Sequence, residues 1–186
     1  IDHPFNPAAL ALGADASFIA RSMDRDPKHL QAMLTRSHQH RGASFLEIYQ
    51  NCNIFNDGAF EIFTEKATKQ EEALFLEQGK PLIFGANNEK GIVLDGFTPK
   101  VVNVADIAAA DLWVHDETDR VKAGILARFF DDPSKEGALP RPFGIFYVEK
   151  RATYESEMIE QVNKTKVAKV AKLDDLLRGS NTWEIK

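Results

Sequence analysis

The sequence predicts an α/β fold, a half-sheet of parallel strands with crossover helices that continues into a C-terminal α+β extension. Three observations carry this. Residues 8–50 read as helix, strand, helix, strand, the alternation that builds parallel strands joined by helices. The second strand stops abruptly at Asn51-Cys52-Asn53, and Asn56-Asp57-Gly58 follows; Asn, Asp and Gly accept turn and left-handed conformations, so the chain folds over the strand end there. Beyond residue 58 the pattern changes to short apolar runs separated by Gly-containing turns, then to amphipathic helices.

In chain order, Pro7 before Ala8-Ala9-Leu10-Ala11-Leu12-Gly13 predicts a short helix with Pro in its first turn and Gly13 near its end. Ser17–Arg21 is a short strand. Asp26-Pro27 opens a helix, Asp as N-cap and Pro at the first helical position, with Leu30, Met33 and Leu34 as its apolar stripe and Gly42 as its stop. The strand over 43–50 is rich in aromatic and branched residues. Lys66–Glu72 is a charged helical turn or exposed crossing. Ala73–Leu76 and Pro81–Gly85 read as a hairpin through Gly79-Lys80, and Gly91–Leu94 with Lys100–Val104 read as a second through Asp95-Gly96. Asp111–His115 reads as an edge strand or extended lead-in. A helix over 117–130 places Val121, Ile125, Leu126 and Phe129 on one face, with Asp116 as its N-cap and Glu117 favourable to its dipole. Residues 131–142 are a polar, Pro-containing linker and 143–148 a strand. The helix over 155–172 buries Met158, Ile159, Val162, Val167 and Val170, a last turn over 173–177 ends at Gly179, and Thr182-Trp183 tucks back.

Composition narrows the function classes. At 186 residues and 44% hydrophobic, with thirteen Phe, the chain can bury a core. A net charge of -5 without a Lys/Arg cluster argues against a nucleic-acid surface. No apolar run approaches the ~18 residues that span a bilayer, and a single cysteine excludes a disulfide framework and suits a reducing, cytoplasmic setting. The opening on Ile1, without Met, raises the expectation of a longer polypeptide.

The chemistry centres on Cys52. In an open α/β sheet, ligands are held just past the carboxyl ends of the strands, and Cys52 lies there. Three readings stand: a small buried apolar side chain, a nucleophile, or a metal ligand. The flanking Asn residues supply no base for a nucleophile. A thiolate among many backbone N–H groups suits an iron–sulfur cluster, but a cluster wants four thiolates and this chain has one cysteine. His38 and His40, two apart on a helix, face different ways and do not ligate together. His115-Asp116-Glu117 reads as capping, Asp57-Gly58 and Asp95-Gly96 as turns, and the Lys residues of 164–172 as a solvated helix face. No phosphate loop, dinucleotide fingerprint, zincin or nucleophile-elbow motif is present.

The run Asn6-Pro7, Ala9–Ala14, Ser17–Arg21 and above all Phe45–Phe60 (FLEIYQNCNIFNDGAF) resembles the β subunit of 2-oxoacid:ferredoxin oxidoreductases, in particular those acting on 2-oxoglutarate. The likeness continues through Glu77–Leu82, Gly91–Gly96, His115-Asp116-Glu117 and Thr182-Trp183. The resemblance implies that residues 1–58 are the second half of a thiamine diphosphate-binding, pyrophosphate-type domain, and that 59–186 are an extension of hairpins and helices that packs against another subunit. It implies a heterodimeric enzyme that binds thiamine diphosphate with Mg²⁺, decarboxylates the 2-oxoacid, passes the acyl group to coenzyme A, and sends electrons through a 4Fe-4S cluster to ferredoxin. It implies that Cys52 is the cluster's fourth ligand and that an α subunit completes the site. The family's Gly-Asp-Gly motif and its other three cysteines are absent here, so no catalytic or thiamine-binding residue is assigned in this chain. Two rivals remain open at this level: a relative using pyruvate or a broad range of 2-oxoacids, and a non-catalytic docking or assembly domain in which Cys52 is merely buried.

Overall fold

A computed structural model describes residues 4–168, 172–179, Trp183 and Ile185, with 167 and 168 described in backbone only. The chain forms two compact units, 1–151 and 152–186.

In the first unit, α1 (Pro7–Gly13) begins where the Asn6 side chain accepts a hydrogen bond from the Ala9 N–H. β1 (Phe18–Met23) is buried along its whole length, as expected of a central strand covered on both faces. α2 (Pro27–Gln39) starts as the sequence predicts, the Asp26 carboxylate capping the His29 N–H at 3.2 Å. It returns the chain to β2 (Ser44–Tyr49), which pairs parallel to β1 from Phe18↔Ser44 to Met23↔Tyr49. The parallel unit predicted for 8–50 is therefore present. Among the described residues the sheet has the order β2-β1-β7-β3, where β7 (Arg141–Val148) runs antiparallel to β1 and β3 (Ala73–Phe75) parallel to β7. The sheet thus takes strands from both sides of residue 58.

One face of this sheet, through Ile19, Leu74 and Phe146, packs with α1 and with α5 (Arg120–Ala127). The opposite face, through Phe18, Ala20 and Ile145, packs with Met33 of α2. A third cluster, Met23, Tyr49, Phe63, Ala73 and Phe143, includes the carboxyl ends of β1 and β2. Gly144 is required inside β7: its φ is 127°, and a Cβ there would lie 2.7 Å from the Leu76 carbonyl oxygen.

Several expectations change. The turn at Gly79 forms, with Lys80 N–H donating to Glu77 O at 3.0 Å, but its flanks do not make a hairpin. β3 joins β7, and the chain beyond the turn pairs with the 113–115 segment instead: Leu82 N–H donates to Trp113 O at 2.8 Å and His115 N–H to Lys80 O at 2.9 Å. Hence β4 (Ile83–Phe84) belongs to a second, antiparallel sheet with β5 (Lys90–Asp95) and β6 (Thr98–Asn103). The Asp95-Gly96 hairpin is as predicted, Gly96 taking a φ of 62°. The helix expected over 117–130 is shorter, because Asp119 and not Asp116 caps it, accepting from the Lys122 N–H at 3.0 Å; Val121 and, on α2, Leu34 are exposed. The linker ends two residues earlier than expected, with Arg141 and Pro142 inside β7 and buried. Two short helices, α3 (Glu61–Thr64) and α4 (Lys69–Glu72), connect the end of the Cys52 loop to β3.

In the second unit, Thr153 and Ser156 exchange backbone-to-hydroxyl hydrogen bonds of 3.0 and 3.2 Å at the start of α6 (Tyr154–Ala168). Met158, Ile159 and Val162, expected to be buried, are exposed. Val170 and Thr182 lie outside the described residues, as does the side chain of Val167, and Trp183 is exposed rather than tucked back. α7 (Leu173–Arg178) ends at Gly179, φ 64°.

Candidate functional site

The carboxyl ends of β1 and β2 lie side by side because these strands are parallel, and the loop carrying Cys52 leaves from the second. Its stem is aromatic: Tyr49 stacks on Phe60 with centroids 4.3 Å apart and meets Phe143 edge-on at 5.5 Å. Cys52 and Asn56 form an antiparallel bridge, Asn56 N–H donating to Cys52 O at 2.9 Å, so 52–56 close into a tight turn. The Asn51 side chain ties this turn together. Its Nδ2 donates to Asn53 Oδ1 at 2.8 Å and to Asp57 Oδ1 at 3.0 Å, while its Oδ1 accepts from the Gly58 N–H at 2.9 Å. The Asn51 N–H donates to Asp24 Oδ2 at 3.2 Å, anchoring the loop to the end of β1. Gly58, with φ 76°, supplies the left-handed residue that the Asp57-Gly58 pair announced.

The Cys52 thiol is free and half-exposed. Backbone N–H groups of Phe55, then Ile54, and to a smaller extent Asn56 face its sulfur and hold its pKa below the ordinary thiol value, against a small opposing effect of burial. A cysteine sulfur placed in this way can ligate a metal ion. Cys52 is not the small buried apolar residue of the blandest reading. The intervening Ile54 and Phe55 side chains point outward, 83% and 88% exposed.

Beneath the loop sit two buried guanidinium groups that the sequence did not single out. Arg21, fully buried on β1, pairs with Glu47 Oε2 at 2.6 Å and donates to Pro142 O at 3.1 Å, while its Nη2 has no hydrogen-bond partner among the described residues. Arg141 donates to Tyr49 OH at 2.8 Å and to Asp131 O at 2.9 Å, and burial lowers its pKa from the ordinary arginine value. The two share the Phe130 ring, at 5.7 and 4.3 Å from its centroid. The available signal was Arg21 itself, one charge in the otherwise non-ionic strand FIARSM; Arg141 read as linker.

The other candidates resolve structurally. His40 Nε2 lies 2.8 Å from Ser17 Oγ and His38 is exposed on α2. His115 is buried with Nε2 2.8 Å from Ile145 O, and Asp116 closes a turn onto Thr118. Glu117 is not a first-turn residue: it makes a double ion pair with Arg36 of α2, both distances 2.8 Å. Asp95 pairs with Lys100 at 2.6 Å. Among the described residues no three His, Cys, Asp or Glu gather as a metal site, and no helix is long and apolar enough to cross a membrane.

A mixed sheet whose parallel strands end in a cysteine-bearing loop is an α/β arrangement of the kind that holds ligands past its strand ends. The chain is similar to β subunits of 2-oxoacid:ferredoxin oxidoreductases. It is 38% identical over its whole length to the 2-oxoglutarate oxidoreductase subunit KorB of Mycobacterium tuberculosis, and spans about half of that relative's length. A stretch covering 31% of the chain is 33% identical to the 2-oxoacid:ferredoxin oxidoreductase subunit beta of Saccharolobus solfataricus, covering 19% of that relative. The fold resembles that of a 2-oxoglutarate:ferredoxin oxidoreductase from Magnetococcus marinus, solved with 2-oxoglutarate, coenzyme A and succinyl-CoA bound, at a TM-score of 0.56 and 15% identity over 95% of this chain and 44% of that one. No protein-family model matches the chain.

Proposed function

We propose that these residues are the Cys52-bearing part of the β subunit of a thiamine diphosphate-dependent 2-oxoglutarate:ferredoxin oxidoreductase, and that Cys52 supplies one thiolate to a 4Fe-4S cluster. The observation that carries this is the Cys52 loop: a half-exposed thiol past the end of a parallel strand, facing three backbone N–H groups that lower its pKa. Those donors fit a cluster ligand, because thiolate sulfur keeps its negative charge on iron and hydrogen bonds from N–H groups stabilise it. A bound cluster supplies one-electron transfer between the 2-oxoacid site and ferredoxin. This chain's part is to present the sulfur, orient it through the loop, and set the local charge with Arg21 and Arg141 below.

The remaining ligands come from polypeptide outside these 186 residues, since Cys52 is the single cysteine here. The residues present do not fit thiamine diphosphate with Mg²⁺: the chain has no Gly-Asp-Gly motif, and no step of the decarboxylation is derived from it. An α subunit is the expected partner, and the reaction takes place in the cytoplasm. The choice of 2-oxoglutarate over pyruvate follows the whole-chain likeness to KorB and is checked by comparing ferredoxin reduction with the two acids.

The test is Cys52→Ser in the full-length subunit assembled with its partner. Loss of cluster iron and of 2-oxoacid-dependent ferredoxin reduction, with the unfolding temperature kept, is the expected result. Full iron content in the variant would sink the assignment and leave the docking reading in its place.

A further inference from the structure

We propose that Asn51 is the positioning residue of this centre, its carboxamide holding the loop so that the Cys52 sulfur and the backbone donors around it keep one arrangement. The proposal rests on Cys52 being a cluster ligand, and it adds a residue that touches neither iron nor sulfur in its role.

The argument begins with what the loop lacks. Ile54 and Phe55 project outward at 83% and 88% exposure, so the turn over 52–56 has no apolar core of its own. The Tyr49–Phe60 stack grips the stem and not the turn. Conformation in such a segment rests on hydrogen bonds, and backbone entropy favours opening wherever they fail. The single backbone bond across the turn is Asn56 N–H to Cys52 O, 2.9 Å. The Asn51 carboxamide adds three more, to Asn53 Oδ1 at 2.8 Å, to Asp57 Oδ1 at 3.0 Å and from Gly58 N–H at 2.9 Å. It thereby ties residues before and after the thiol to one rigid plane.

The chemistry requires an amide at this position. An amide donates and accepts at once, and these three bonds use both ends of it. Alanine makes none of them, and aspartate keeps the acceptor toward Gly58 while facing Asp57 with a second carboxylate. Exchanging the pair, Asn51→Asp with Asp57→Asn, restores an amide–carboxylate hydrogen bond with the donor on the opposite partner and leaves the net charge unchanged. This exchange separates loss of the tie from general damage to the loop.

Reduction adds a negative charge to a cluster, and N–H groups directed at its sulfurs favour the reduced form. A loosened loop lets those donors drift, so reduction becomes less favourable. A drop of about tenfold in the reduction equilibrium constant corresponds to ~59 mV for a one-electron couple.

The experiment uses the full-length subunit with its partner and compares wild type, Asn51→Ala, the Asn51→Asp/Asp57→Asn exchange and Cys52→Ser. Iron content, midpoint potential and the electron paramagnetic resonance spectrum of the reduced centre are read for each. The expected result is a cluster in Asn51→Ala with a midpoint lower by about 59 mV and an altered spectrum, both returning toward wild type in the exchange variant. Iron lost in Asn51→Ala but recovered in the exchange also supports the proposal; iron lost in both overturns it. Unchanged potential and spectrum in Asn51→Ala, with iron lost in Cys52→Ser, overturns the Asn51 role and leaves the Cys52 assignment intact. Iron retained in Cys52→Ser removes the assignment and the Asn51 role with it.

Discussion

Removing Glu47 strands the Arg21 charge inside the sheet. Arg21 has no exposed surface, and its side-chain partners are Glu47 at 2.6 Å, one carbonyl at 3.1 Å, and the Tyr49, Phe130 and Phe146 rings at 5.3, 5.7 and 5.0 Å. Breaking a buried pair by deleting one partner costs about 3–5 kcal/mol, because the remaining charge is left uncompensated in a poor solvent. The rings and the Pro142 carbonyl keep part of the stabilisation, since a buried cation over an aromatic face gains about 1–2 kcal/mol. We therefore expect Glu47→Ala to cost ~3 kcal/mol. At roughly 2–4 °C per kcal/mol for a chain of this size, the unfolding midpoint falls by about 6–12 °C. Thermal and urea unfolding of the full-length protein measure it. The comparator is Arg21→Met with Glu47→Leu, which removes both charges and fills the space with apolar atoms; it is expected to cost less than Glu47→Ala. A drop of less than about 2 °C in Glu47→Ala, or a double variant worse than the single, refutes the reasoning, and the rings rather than the carboxylate would then hold Arg21.

Other outcomes follow from the same geometry. Gly144→Ala forces a side chain into a φ of 127° and against the Leu76 carbonyl, and is expected to destabilise by about 2–3 kcal/mol; an unchanged urea midpoint would contradict the close approach of 76 and 144. Burial lowers the pKa values of His115, His29 and His40 below 6.5, so the folded state binds protons more weakly than the unfolded chain. That stability is present above the unfolded value and is lost as pH falls from about 6.5 toward the lowered folded values. The urea midpoint should decline from pH 7.5 to 5.5, and His115→Gln should flatten the decline; an equal slope in the variant would remove His115 from this account.

The chain illustrates which signals are local. Helix starts at Pro7 and Pro27, the hairpin at Asp95-Gly96 and the loop at 51–58 were legible because each rests on contacts within a few residues: an Asn or Asp cap, a proline φ, a glycine that takes a positive φ. Cys52 stood out for the same reason, as the single cysteine past a strand end. The hairpin expected at 73–85 failed although its turn formed, because a turn sets direction and not partner. Ala73–Phe75 gained more by joining β7, where Leu74 is fully buried, and residues 80–82 found the 113–115 backbone instead.

What the sequence by itself determined was the element order through residue 50, the loop that carries the thiol, and the family likeness. Tertiary structure decided the rest: that β7 inserts between β1 and β3, that Arg21 and Arg141 meet Tyr49 beneath the loop, and that the Asn51 amide reaches Asn53, Asp57 and Gly58 together. The physical reason is range. Caps and turns are settled by neighbours along the chain, whereas strand partners and buried charges are settled by distant residues, 130 positions apart for Phe18 and Val148 and 121 for Arg21 and Pro142, which no local pattern encodes.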